Sequence, residues 1–181
     1  MGAGSMEPHP WPRVATRPEE PADEPFVAAV YASTRETELA PLGWSEERKT
    51  EFARTQFDAQ RRYYREHYLD TSWDLILVDG EPAGRLYVAR WREEIRIVDI
   101  ALLPGYRRMG IGTALLREIL AEAEAARKPV TIHVEIHNPA RHLYERLGFR
   151  AVADRGVYVL MERRPRFAVD DAAVPQPNTA S

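Results

Sequence analysis

Apolar and polar positions change period several times along the chain, and each change predicts a new element. The stretch WDLILVDGEPAGRLYVARW, residues 73–91, alternates on either side of the turn signal DGEPAG and predicts an antiparallel hairpin. A third strand follows at 94–103. Residues 113–126 carry Leu115, Leu116, Ile119, Leu120 and Ala123 at helical spacing, and 130–136 returns to strand alternation. Strand, helix, strand in that order implies parallel pairing across the unit. Next comes a helix over 138–148, with Asn138 as N-cap, Pro139 at the first helical position, a buried stripe of Ala140, Leu143, Tyr144 and Leu147, and Gly148 as its stop. Residues 149–154 and 156–162 read as two closing strands. Upstream, 13–17 predicts a strand and 25–33 a short helix introduced by Asp23. Ser45 is a good N-cap for a long helix to about Tyr68, whose stripe holds Ala53, Phe57, Tyr64 and Tyr68. The whole reads as a mixed α/β (α+β) sheet of about seven strands covered by helices, with no internal repeat.

Composition narrows this picture. A chain of 181 residues suits one domain with a sizeable core, expected over residues 13–165. Residues 1–12 read as a flexible extension and 166–181 as a polar, flexible tail. The net charge of −3 argues against reliance on bulk attraction to nucleic acid or anionic lipid. There is no cysteine, which excludes disulfides and thiolate catalysis. The early apolar run 26–32 follows the acidic stretch PEEPADE and is too short to span a bilayer, so the expectation is a cytoplasmic chain with neither signal peptide nor membrane helix. Asparagine occurs only at 138 and 178, which draws the eye to Asn138.

The segment with chemical content is LLPGYRRMGIG, residues 102–112, between an apolar strand and an amphipathic helix. Two glycines two apart at a helix start let backbone approach a ligand, and free amides with the helix dipole favour an anion there. It is no Walker loop, since no Lys-Ser/Thr follows Gly112. Nor is it the dinucleotide fingerprint, since Leu115 stands where a third glycine belongs. A strand-to-helix turn that uses glycine for geometry alone is the plain alternative.

Pro104, Arg107, Gly110 and Gly112 together resemble the RxxGxG signature of the GCN5-related N-acetyltransferase (GNAT) superfamily. Farther on, NPARHLYERLGF, residues 138–149, resembles that superfamily's second motif, NxxAxxLYExxGF. The order of elements matches as well. This chain is one residue shorter than the commonest form of the second motif, so either Asn138 or His137 takes the family's Asn position. The resemblance implies a mostly antiparallel sheet with a central parallel pair splayed apart and helices on both faces. It implies acetyl-CoA as cosubstrate, with no metal. The amides of Arg108, Met109, Gly110, Ile111, Gly112 and Thr113 would hold the pyrophosphate, with Arg107 fixing the loop. Backbone at Ile100, Ala101 and Leu102 would take pantetheine and the acetyl carbonyl, Leu102 through its amide. Asn138 would reach the cofactor arm, a role its N-cap position rivals. The Tyr144 hydroxyl would protonate the departing thiolate, against a plain reading as a packed aromatic.

The attacking amine must also lose a proton. On the strand 130–136 the residues Val130, Ile132, Val134 and Ile136 share one face, leaving Thr131, His133, Glu135 and His137 on the other. His133 is the first choice of base and Glu135 the second, with Asp99 and Glu94 as rivals and a solvated groove wall as the plain alternative. Histidines 133, 137 and 142 lack the ligand spacing of a metal site. The expected function is acetyl transfer to a primary amine, a peptide N-terminus or a small molecule, by direct attack in a ternary complex. A non-catalytic acyl-CoA sensor of the same fold is the alternative. Homodimers are common in the family. Nothing in residues 25–68, where the acceptor would lie, selects among amines.

Overall fold

Asp79 and Gly80 both adopt positive φ (51° and 90°), the backbone a tight two-residue hairpin turn demands. In the computed structural model, which describes residues 12–166, this turn joins β2 (Thr71–Val78) to β3 (Glu81–Arg90). Strand β1 (Val14–Pro18) pairs antiparallel with β2, and β4 (Ile95–Leu102) antiparallel with β3. Helix α3 (Ile111–Ala126) then carries the chain back, so that β5 (Val130–Glu135) runs parallel to β4. Strands β6 (Arg150–Arg155) and β7 (Tyr158–Arg163) complete a seven-stranded sheet of order β1-β2-β3-β4-β5-β7-β6 with one parallel pair, the fold class the sequence implies. The readings of the two chain ends lie almost wholly outside the described residues.

Strand alternation gives the sheet two apolar faces, each with its own core. Ile76, Val78, Leu86, Val88, Ile95 and Ile97 pack against the Ile111, Leu115, Leu116, Ile119 and Ala123 stripe of α3, along with Tyr144 and Phe149. On the opposite face Leu75 and Tyr87 meet Val27 and Tyr31 of α1 (Glu24–Leu39) and Phe57 of α2 (Glu46–His67). Burying each such large side chain contributes about 1.5–3 kcal/mol. Gly84 has a packing reason to be glycine: a Cβ there would sit 2.2 Å from the Ala101 carbonyl oxygen across the β3–β4 pair.

Ser45 caps α2 as expected, its Oγ accepting from the Arg48 amide at 3.3 Å. Two helix readings need correction. Helix α1 does not stop at residue 33 but runs to Leu39: Leu39 is buried, and within the polar run 34–38 Arg35 turns inward to Glu135 of β5 while Glu36, Thr37 and Glu38 face solvent. Asp23 does not cap it; the carboxylate is taken by the Arg17 guanidinium (2.6 and 2.7 Å) and the Glu20 amide. The helix expected over 138–148 shrinks to α4 (Arg141–Arg146). Asn138 Oδ1 accepts from the Ala140 amide at 2.9 Å, forming an Asx turn that delays the helix rather than capping it. Gly148 ends the segment with φ of 87°, as its position predicts.

Candidate active site

Strands β4 and β5 pair only at Ile95–Val130, Arg96–Thr131 and Ile97–Ile132. Beyond that point they part, and the parting coincides with an irregularity in β4. Tyr87 faces Asp99 whereas Val88 faces Ile97, so Val98 is an extra residue, a β-bulge. Its effect on facing is large. Uninterrupted alternation from Ile95 and Ile97 would point Asp99 into the α3 core; after the bulge Ile100 and Leu102 pack against that core, and Asp99 and Ala101 turn to the other face.

That face borders a cavity of about 190 Å³ between the parted strands and the α1–α2 pair. Ile100, Ala101 and Asp99 line it from β4, His133 and Glu135 from β5, and Asn138 and Tyr144 from the segment after β5. Tyr31, Arg35, Gln60 and Tyr64 close it from the helices, with Arg85 from β3 and Tyr158 from β7. Arg85, 2% exposed, donates to Asp99 Oδ2 at 2.6 Å and to Gln60 Oε1 at 3.0 Å. Its cost of burial is offset by that pairing and by the Tyr31 and Tyr87 rings beside it. Nearer the outside, Arg35 binds Glu135 (3.2 Å), Glu38 (2.9 Å) and the Tyr31 hydroxyl (3.3 Å). Tyr144 is buried, and loss of solvent, aided by the nearby Asp99 charge, holds its phenol well above the ordinary range. It therefore keeps its proton at neutral pH.

The glycine loop lies at the α3 start. Arg108 (φ 63°) and Gly110 (φ 81°) turn the chain into the helix, and no side chain caps the first turn. No heavy atom lies within 4 Å of where a Cβ would stand on Gly110 or Gly112, so the backbone there is open to a ligand. The Ile111 side chain is in the core, leaving only its backbone to the loop, while Met109 is exposed. Arg107 donates from Nε to the Leu102 carbonyl (2.8 Å) and from its terminal nitrogen to Ser33 O and Oγ (3.2 and 3.0 Å), a brace from loop to strand end and to α1.

Ile100, Ala101, Asn138, Tyr144, His133 and Glu135 thus converge on one cavity, and the Arg107–Thr113 loop begins the helix beyond the end of β4. His133 points outward as the alternation predicts, but its Nδ1 accepts from the Arg96 guanidinium at 3.1 Å. Burial, then the positive charges of Arg96 and Arg155, hold its pKa below the usual imidazole value. Glu94 is engaged with Arg96 (2.7 Å) and Thr131 (2.9 Å) and does not line the cavity. His142 is exposed beside Glu145, and no group of three or more His, Asp or Glu side chains gathers as metal ligands among the described residues. The sequence reading missed Arg85, Gln60, Tyr31, Arg35, Tyr64 and Tyr158. One signal was available for Arg85, a cation inside the apolar strand AGRLYVA.

The parallel pair thus opens over a cavity lined by a protonated phenol and a carboxylate, next to an uncapped helix that starts on glycine. The chain belongs to the acetyltransferase (GNAT) family, whose family model matches residues 31–149. Over 59 residues it is 39% identical to an N-alpha-acetyltransferase of Sulfurisphaera tokodaii, and over 78 residues 36% identical to a streptothricin acetyltransferase of Streptomyces lavendulae. These matches cover 31% and 39% of this chain and span 35% and 40% of the length of those curated relatives. The fold is similar to that of a PaiA N-acetyltransferase from Thermoplasma acidophilum in complex with coenzyme A, with TM-score 0.65 at 18% identity over 84% of this chain and 99% of that one. It is also similar to the ribosomal-protein-S18-alanine N-acetyltransferase from Escherichia coli, with TM-score 0.58 at 21% identity over 89% and 99%. Among the described residues no helix is long and apolar enough to cross a membrane.

Proposed function

We propose that this protein transfers the acetyl group of acetyl-CoA to a primary amine bound in the cavity, by direct attack. The observation that carries this is Tyr144 and Asp99 lining one cavity where β4 and β5 part, the Asp99 charge reaching the Tyr144 phenol. The uncapped amides from Arg108 to Thr113, open above Gly110 and Gly112, fit a pyrophosphate. Backbone at Ile100, Ala101 and Leu102 and the Asn138 side chain would hold the arm that leads inward. Acetyl-CoA supplies the activated acetyl group.

The chain's own groups handle two protons. Nitrogen forms a bond to the acetyl carbon as the carbon–sulfur bond breaks, so the amine must lose a proton and the sulfur gain one. Tyr144 donates to the sulfur, and solvent restores the phenol. Asp99 takes the amine's proton. We place it ahead of His133, the sequence's first choice, because Asp99 stands where the strands part whereas the unprotonated His133 nitrogen is occupied by Arg96; each would give up a guanidinium contact on taking the proton, Asp99 that of Arg85. Glu135 is held by Arg35 nearer the cavity mouth.

Tyr144→Phe keeps the ring that packs on Phe149 and removes only the donor. CoA release with an amine panel is expected to fall by about 10²-fold or more in kcat, with acetyl-CoA affinity by calorimetry unchanged within a few fold. Parental turnover would make Tyr144 a packing residue. Acetyl-CoA binding with no acetylation of any amine by the parent would favour the acyl-CoA sensor reading.

A further inference from the structure

The cavity holds two cations and two carboxylates in two pairs. Arg85–Asp99 lies deep, with side chains 3% and 16% exposed; Arg35–Glu135 lies nearer solvent, at 24% and 43%. Both guanidinium groups lean on one ring: the Arg35 and Arg85 carbons lie 5.4 and 5.7 Å from the Tyr31 centroid. Arg85 is also incompletely satisfied, its buried Nε having no hydrogen-bond partner. An acceptor that is only a cation meets two fixed guanidinium groups and gains no net attraction from a balanced cavity. An acceptor bearing both signs can give its ammonium to a carboxylate and its anion to a guanidinium, whose planar donors suit a carboxylate.

We infer that the acceptor is a small amine that also carries an acid group, of the α-amino-acid type, with its ammonium directed to Asp99 and its carboxylate to Arg35 on the wall opposite. This rests on the acetyltransfer reading above. Arg35 suits the role because it is partly exposed and held by exposed or half-exposed acids, Glu38 and Glu135, which a substrate carboxylate can displace. Arg85 is committed to Asp99 and Gln60 and sets the depth at which the amine stops. Polyamines and lysine side chains on a protein surface lack the second charge.

The test compares three matched series of acceptors with saturating acetyl-CoA: L-α-amino acids, their carboxamides, and the amines left by removing the carboxylate. Rates are followed by CoA release across pH, so that differences in amine ionisation are separated from recognition. The expected result is a preference in kcat/KM of at least about tenfold for the best amino acid over both its amide and its decarboxylated amine. In Arg35→Gln that preference collapses towards unity, through KM, and Arg35→Lys restores part of it. Equal use of all three series, or a preference for the amines, overturns this inference and leaves the acetyltransfer reading standing. A preference that survives Arg35→Gln overturns the assignment to Arg35. No turnover in any series while another amine of the panel is acetylated overturns this inference alone; no acetylation of any amine, with acetyl-CoA bound, overturns both readings.

Discussion

Asp99 reaches the cavity because Val98 is extra, and that single insertion turns the β4 carboxylate from the α3 core to the cavity. Period-2 alternation places Asp99 with Ile95 and Ile97, facing the core, and nothing in the residue types signals the bulge; it arises from how β4 registers against β3. In the sequence Asp99 stands only as a rival to His133 and Glu135, which share the polar face of the strand 130–136. Arg85 was more legible, since a cation amid buried apolar positions needs a partner, but the partner itself depends on the same bulge. The expected pH behaviour follows from the two environments. A His133 base would give an acid limb in kcat/KM below the ordinary imidazole range, set by the protein. With Asp99 as base, His133→Gln leaves the shape of the profile unchanged for every acceptor, while Asp99→Asn lowers the rate by about 10²-fold or more. Profiles with two acceptors of different basicity distinguish these outcomes.

At the scale of elements, local signals were read well and lengths set by tertiary contacts were not. Ser45, the turn at Asp79 and Gly80, and the Leu115 to Ala123 stripe each act within a few residues of where they stand. The reach of α1 depends instead on burial of Leu39 and on left-handed Gly43 beyond it, and the late start of α4 on an Asx turn that competes with capping. The α3 start yields a prediction of opposite signs. Gly112 lies in the first helical turn at a position with open space and no positive φ. Gly112→Asp puts a negative charge at the positive end of the helix dipole. The free protein is expected to gain, or at least not lose, about 0.3–1 kcal/mol of stability. Acetyl-CoA affinity is expected to fall at least about tenfold. Thermal melts and calorimetry on the same variant check both.

Across the whole molecule the sheet separates an α3 core from an α1–α2 core, and the cavity opens on the latter side. The chain entering α1 is tied to β1 by Arg17 and Asp23. The guanidinium and the Glu20 amide lower the Asp23 carboxyl to about 2 from 3.8. A carboxyl whose pKa is lower folded than unfolded stabilises fully above its unfolded value and loses that contribution as pH falls towards the folded one. Asp23→Asn should therefore melt lower than the parent at neutral pH, with the gap closing as pH falls from about 4 to about 2. Melting temperatures by circular dichroism in a pH series read this directly.

Arg107 has a consequence that its hydrogen bonds do not state outright. One guanidinium clasps the Leu102 carbonyl, where the acetyl donor is expected, and Ser33 of α1, a helix that closes the cavity. With the proposed donor and acceptor seated on the two sides it joins, the brace is expected to link their binding thermodynamically. Linkage is reciprocal, so the factor by which a donor analogue tightens acceptor binding must equal the factor by which acceptor tightens the donor. CoA titrated with and without acceptor, and the reverse titration, should give one shared factor of about five or more, which Arg107→Ala brings towards one. A side chain that touches neither substrate would then set how strongly each tightens the other.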